Sequence, residues 1–422
     1  MHEPRVAVVD PYSSGAMLAE QLHSTGIALI AIESSSSLPS AMRTRFQPAH
    51  FQDVLSSPRE ESQLLNDLAS FRPTHVIAGF ESGVELAERL SHALGLPCNA
   101  QSLAPCRRDK FEMAQQAAAC GLATPKQCAA RELPELLEFA EQQLTWPVIV
   151  KPTKSVASDQ VHLCSSPLDI QQAHSAIVGQ TNVLGQCNER ALVQEFISGT
   201  EYVVDAVRCY GRTKITGFWQ YERPEKANDF VPYDMMRLLP NHGELQTELA
   251  RYTIKLLDSL GFHFGAAHCE LMWSDGAPVL IEVNARLSAG LNATLSGQCG
   301  GHSQLDELVK SIISPEQFVS DSYELPTLHQ AAVNIFLAPA RAGHLVRTQL
   351  VDRLKSLATL HSLSIASTPG SWLAGVSGRV TLVSADLSLL EQDIRTVRDC
   401  QRSGIFVLAP QVVDDAASTA TT

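Results

Sequence analysis

Two short stretches carry the residue types best suited to metal and phosphate chemistry: His268-Cys-Glu270 and Glu282-Val-Asn284-Ala-Arg286. Glu282 and Asn284 stand two apart in the run Val-Leu-Ile-Glu-Val-Asn-Ala, so in a strand they project from one face. The segment leading into Glu270 (Phe264-Gly-Ala-Ala-His-Cys-Glu) also reads as extended, and an antiparallel pairing sets Glu270 opposite them. Two carboxylates and an amide oxygen on one sheet face make a hard-oxygen set suited to Mg²⁺. Without a cation between them, two buried like charges are costly. Arg286, two residues beyond Asn284, suits an anion that develops during group transfer. His268 alternates onto the face of Glu270 and is a candidate for lining an acyl-substrate pocket.

The elements that must position these groups follow from hydrophobic pattern. Residues 5–10 (Arg-Val-Ala-Val-Val-Asp) form a continuous apolar run expected to be a buried parallel strand. A helical pattern follows from Ala16 to about Ser24. Strands are expected at Ile27–Ile32 and Thr74–Phe80, with an amphipathic helix at Val84–Leu94. This alternation predicts a doubly wound sheet up to about residue 100. Further on, helices are expected at Arg107–Cys120, Leu133–Leu144, Leu245–Leu260 and Gln304–Ile313. Strands are expected at 147–152, Leu192–Phe196 and Glu201–Cys209. Residues 221–243 are polar, aromatic and proline-punctuated, and 287–303 are rich in Gly, Ser and Asn, so both read as substrate-facing loops. Beyond residue 325 short strands alternate with turns, with one helix near 387–400.

Composition narrows the function classes. With 422 residues, 45% hydrophobic and 18% charged, the chain is globular and long enough for several domains. No apolar run approaches the ~18 residues of a membrane helix, and the N-terminal residues lack a signal-peptide layout. Ten cysteines without Cys-x-x-Cys spacing read as the reduced thiols of a cytoplasmic protein. A net charge of -13 argues against a nucleic-acid surface. The turn Ser13-Ser14-Gly15 lacks the spaced glycines of a dinucleotide fingerprint, which counts against an NAD(P)-dependent oxidoreductase.

Four features stand in order: Arg108-Asp-Lys110; Val148-Ile-Val-Lys151-Pro152 followed by Thr-Lys154-Ser155-Val-Ala-Ser158; Val193-Gln-Glu195-Phe-Ile197-Ser-Gly-Thr-Glu201; and the acid–amide cluster. Over roughly residues 5–310 their wording and order resemble the ATP-grasp superfamily of carboxylate–amine ligases, above all the L-amino acid ligases that make dipeptides. Asp10-Pro-Tyr-Ser-Ser-Gly15 and the stretch Gly79-Phe-Glu-Ser-Gly83 to Gly95-Leu-Pro-Cys-Asn99 resemble that family's N-terminal domain. The resemblance implies an α/β (α+β) architecture: an N-terminal pre-ATP-grasp domain (1–105), an ATP-grasp domain (106–325) with a lid at about 122–192, a C-terminal α+β domain (326–409) and a tail (410–422).

The resemblance also implies roles. Lys110 and Lys151 face phosphates. Lys154, Ser155 and Ser158 lie on a phosphate-covering loop, although members of the family usually carry more glycines there. Glu195, Phe196 and Ile197 sit at the adenine, and Glu201 at the ribose. Glu270, Glu282 and Asn284 hold Mg²⁺ or Mn²⁺, while Arg286 and His268 serve catalysis. Tyr233, Ser288 and Gly290 lie on loops facing the substrate. The implied reaction joins a small carboxylate to an amine at the expense of ATP, with ADP as product. The acid is an amino acid or, alternatively, a small non-amino carboxylate. Such ligases are often homodimers.

Overall fold

The computed structural model describes residues 3–56, 59–223, 233–289 and 292–410. It divides into two compact units, one of Met1–Trp219 with Leu239–Leu328, the other of Gln220–Leu238 with His329–Thr422.

The first unit opens with strands β1 (Arg5–Val9), β2 (Ala28–Ile32), β3 (Asp53–Leu55) and β4 (His75–Ala78), and helices α1 (Ser14–Ser24), α2 (Glu61–Phe71) and α3 (Val84–Ala93). The strands pair in parallel in the order β3-β2-β1-β4. Val6, Ala7, Val8 and Val9 are fully buried, as a continuous apolar run requires of a strand covered on both faces. The expected doubly wound start is therefore present, with β3 and α2 added in a stretch where the pattern was silent. The turn after β1 is held close to the turn after β4. A Cβ on Gly15 would lie 2.4 Å from the Gly79 Cα, so two glycines meet where no side chain fits.

The expected helix at Arg107–Cys120 is broken. A 3₁₀ segment, Gln101–Arg107, ends first, and α4 (Lys110–Ala119) then starts afresh. Asp109 causes the restart: its carboxylate accepts hydrogen bonds from the Phe111 and Glu112 backbone N–H groups, as an N-cap does. Next come β5 (Gln127–Ala130), α5 (Leu133–Gln143), β6 (Val148–Pro152), β7 (His162–Cys164), α6 (Pro167–Ile177) and β8 (Ala191–Glu195). Their antiparallel sheet runs β5-β8-β6-β7, and its own core includes Val148, Val150, Ile170 and Val193.

The site is built on β9 (Thr200–Cys209), β10 (Arg212–Glu222), β12 (Gly265–Ser274) and β13 (Ala277–Asn284), with α7 (Glu244–Ser259), α8 (Asn292–Gln298) and α9 (Gln304–Ile313). β12 is central and pairs antiparallel with both β9 and β13. One face of this sheet sends Val204, Cys269 and Val283 into a large core with Leu249, Leu256 and Met113. Two expected loops contain regular structure. Within 287–303, Ala293 and Leu295 are buried on helix α8, so packing prevails over a small polar composition. Within 221–243, β11 (Met235–Leu238) is a strand with both methionines buried.

The second unit pairs β11 with β14 (Ala331–Leu337), followed by β18 (Gly378–Ser384) and β16 (Leu360–Ile365). Helix Leu387–Arg402 matches the expected late helix, and Leu390, Ile394 and Val397 fill the core of this unit.

Candidate active site

Strand register assembles the site. His268 of β12 stands opposite Asn284 of β13 and Asp205 of β9, and Glu270 stands opposite Glu282 and Val203. Cross-strand partners share a face, so Asp205, His268 and Asn284 form one row and Glu270 and Glu282 the next. The ladder shifts register beside Glu270, a bulge of the kind that re-aims side chains next to functional sites. The expected antiparallel pairing of the two carboxylates is what the register shows.

Cations approach this face from two other elements. Lys110, the first residue of α4, is nearly buried. Its Nζ lies 3.0 Å from Glu282 Oε1 and donates to the Ser155 carbonyl, also at 3.0 Å. Lys151 is buried near the end of β6. Burial and the neighbouring Lys110 charge pull its pKa down to about 8, against the opposing effects of Glu282, Glu270 and Glu201. A cation disfavoured by its surroundings gains most from a strong anion.

His268 is held from both sides. Its Nδ1–H donates to Asp205 Oδ1 at 2.7 Å, and its Nε2 lies 3.3 Å from Glu270 Oε1. Burial works against the imidazolium, but the two carboxylates outweigh it and push the pKa up to about 9. Trp219 Nε1 donates to the other oxygen of Asp205 at 2.9 Å.

The remaining expected residues are distributed as follows. Ser155 is buried and donates to Asp159 Oδ2 at 2.7 Å. Ser158 has φ 57°, in the left-handed region, as do Ala157 and Gln160. Lys154 pairs with Glu85 at 2.7 Å. Glu195 ends β8, where its N–H donates to the Lys126 carbonyl and its Oε2 accepts from the Lys126 N–H. Phe196 and Ile197 follow in the connection to β9, partly exposed, and Glu201 is buried on β9. Ser288 is fully buried; its N–H donates to Gln304 Oε1 at 2.8 Å, and its hydroxyl has no partner among the described residues. Arg286 lies 3.0 Å from Glu81 Oε2. Tyr233 belongs to the second unit, where it stacks on Tyr221 at 4.1 Å. Gly290 lies outside the described residues.

Sequence reading missed three residues here: Asp205, Glu81 and Arg108. Asp205 left a trace as an isolated acid in the strand Tyr-Val-Val-Asp-Ala-Val, on the face of Glu201. Glu81 left one as an acid between two glycines at a strand end.

Among the described residues no cluster of three or more His, Cys, Asp or Glu forms a metal cage. The donors present are two carboxylates and an amide, which fit a hard divalent cation that takes its other ligands from phosphate and water. No helix is long and apolar enough to cross a membrane among those residues.

Residues 144–295 match the family model described as an ATP-grasp domain. Over 416 residues the chain is 28% identical to dapdiamide A synthase of Enterobacter agglomerans, covering 94% of this chain and 95% of the relative. Its fold is similar to L-amino acid ligase from Bacillus licheniformis, with a TM-score of 0.75, 15% identity and coverage of 97% and 100% of the two chains. An ADP complex of N5-carboxyaminoimidazole ribonucleotide synthetase is also similar, with a TM-score of 0.69, 14% identity and coverage of 95% and 98%. Residues 144–295 thus match an ATP-grasp domain, and the chain as a whole shares the fold of the L-amino acid ligase and of the N5-carboxyaminoimidazole ribonucleotide synthetase.

Proposed function

We propose that this protein is a ligase that joins an amino acid or closely related acid to the amine of a second small molecule, through an acyl phosphate and with release of ADP. The observation that carries the reading is the sheet face on which Glu270 opposes Glu282, with Lys110 bound to Glu282 and Lys151 buried beside them. The likeness to an L-amino acid ligase supports amino acids as substrates.

In this mechanism Lys151 and Lys110 hold the phosphates of ATP as point charges. Glu270, Glu282 and Asn284 would hold Mg²⁺ or Mn²⁺, which when bound offsets phosphate charge and orients the γ-phosphoryl group. The substrate carboxylate attacks that group in line, forming a carboxylate–phosphorus bond as the bond to ADP breaks. Arg286 offsets the charge that develops. The amine then attacks the acyl carbon, phosphate leaves, and the amine proton passes to solvent or phosphate. No protein nucleophile is needed; positioning and charge neutralisation supply the catalysis. The β5–β8 subdomain, which carries Lys151 and the 153–160 loop, is placed in sequence to cover the acyl phosphate and exclude water.

The test is incubation with Mg²⁺-ATP and pooled amino acids, with products read by mass spectrometry. A new amide with stoichiometric ADP and phosphate is expected. AMP with pyrophosphate would overturn the acyl-phosphate route.

A further inference from the structure

The stretch Gly79-Phe-Glu-Ser-Gly83 supplies a carboxylate that the mechanism above does not use. Glu81 starts a short 3₁₀ turn, Glu81–Gly83, beyond the carboxyl end of β4. Glycines clamp this turn against β1: a Cβ on Gly79 would lie 2.6 Å from the Asp10 carbonyl oxygen, and one on Gly83 would lie 2.8 Å from the Val9 carbonyl oxygen. The side chain therefore leaves a rigid anchor, and only 2% of it is exposed.

Its two oxygens are divided between two arginines. Arg108 Nη1 donates to Oε1 at 2.7 Å, whereas Arg286 Nε stands 3.0 Å from Oε2 in ion-pair range and Oε2 accepts no hydrogen bond among the described residues. Arg286 Nη1 also donates to the Leu287 carbonyl at 2.7 Å. The guanidinium is thus held by charge at Nε and by one hydrogen bond from Nη1, and its other N–H groups are available to an anion. Arg108 also lies within electrostatic reach of the Glu85 carboxylate, while Arg286 has Glu81 as its one ion-pair partner among the described residues. A largely buried guanidinium with N–H groups to spare suits an anionic ligand.

We infer that Glu81 is a positioning residue for Arg286: it presents the outer edge of the guanidinium to the transferring phosphoryl group. This rests on the ligase reading above. A carboxylate joining the turn after β4, the segment before α4 and the exit from β13 could equally serve only to hold those segments together, so the test separates the two roles.

The experiment is a double-mutant cycle on the full-length protein with Glu81→Gln, Arg286→Lys and both together, following ADP formation. Glu81→Gln is expected to lower kcat by about tenfold to a hundredfold, the scale of a misplaced catalytic group, with KM for ATP unchanged. In the Arg286→Lys background it should add less than about twofold, because residues acting through one another are not additive. Glu81→Asp, which keeps the charge, should recover part of kcat. Equal losses in both backgrounds would overturn the proposal, as would a defect confined to KM for the amine, which would make Glu81 a substrate ligand.

A second readout does not need turnover. In arginine Nε–H spectra the Arg286 resonance, assigned by its loss in Arg286→Lys, is expected to shift and broaden in Glu81→Gln. An unchanged resonance would overturn the pairing. A wild-type protein that forms no ADP with any acid and amine would remove the ligase reading, while the spectrum still decides the Glu81–Arg286 contact.

Discussion

Lys151 shows how burial bears on the phosphate-binding role proposed for it. A lysine beside a second lysine and far from water is an unfavourable cation until phosphate arrives. Lys151→Ala is expected to weaken ATP binding by about 1.5–3 kcal/mol, the range for a charge-assisted contact, as checked by titration calorimetry. The pH dependence has a defined sign. The folded pKa of about 8 lies below the ordinary lysine value of 10.5, so the folded protein releases this proton before the unfolded one. The stability contribution of this group therefore rises with pH between those values. Nucleotide affinity runs the other way and is expected to fall as pH rises through about 8, as ADP titrations on either side would show. Glu282→Gln removes the carboxylate proposed as a metal donor and the partner of Lys110. It should lower Mn²⁺ affinity by about tenfold or more without unfolding the protein; an unchanged Kd would remove Glu282 from the metal shell.

At the scale of elements, the loop after β6 is the feature most at odds with its residue types. Ala157, Ser158 and Gln160 all adopt positive φ, where non-glycine residues carry about 1–2 kcal/mol of strain each. The strained conformation is held by hydrogen bonds. Asp159 accepts from the Ser155 hydroxyl and the Val183 N–H, and Asn182 donates to the Lys154 carbonyl. Ala157→Gly is expected to raise stability by up to about 1 kcal/mol, measured by chemical denaturation. The turn after β1 responds in the opposite direction. Gly15→Ala places a methyl group 2.4 Å from backbone, and overpacking of this kind should destabilise by at least ~1–3 kcal/mol.

For the whole molecule, ligand binding and stability are linked. If Lys110, Lys151 and the carboxylate pair bind one nucleotide, MgADP at a hundredfold excess over its Kd should stabilise the folded protein by about 2.7 kcal/mol. Thermal unfolding with and without MgADP checks this. The increment should be much smaller for Lys151→Ala at the same MgADP concentration.

Local chemistry was enough to place many elements. Apolar runs marked β1, β2 and β6, helical periodicity marked α3, α7 and α9, and alternation put Glu282 and Asn284 on one strand face. These features depend on neighbours in the chain, and the chain states them. Helix α8 was hidden because its small and polar residues acquire regular structure only through packing, and strand β11 because four residues within a polar, proline-punctuated stretch are too few to show a period. The grip of Asp205 on His268, of Glu81 on Arg286 and of Lys110 on Glu282 spans 63, 205 and 172 positions of chain respectively (268 − 205, 286 − 81 and 282 − 110). Such pairs leave no periodic mark. They exist because strand register and the meeting of separate turns exclude water around opposite charges, and that exclusion arises only once the chain has folded.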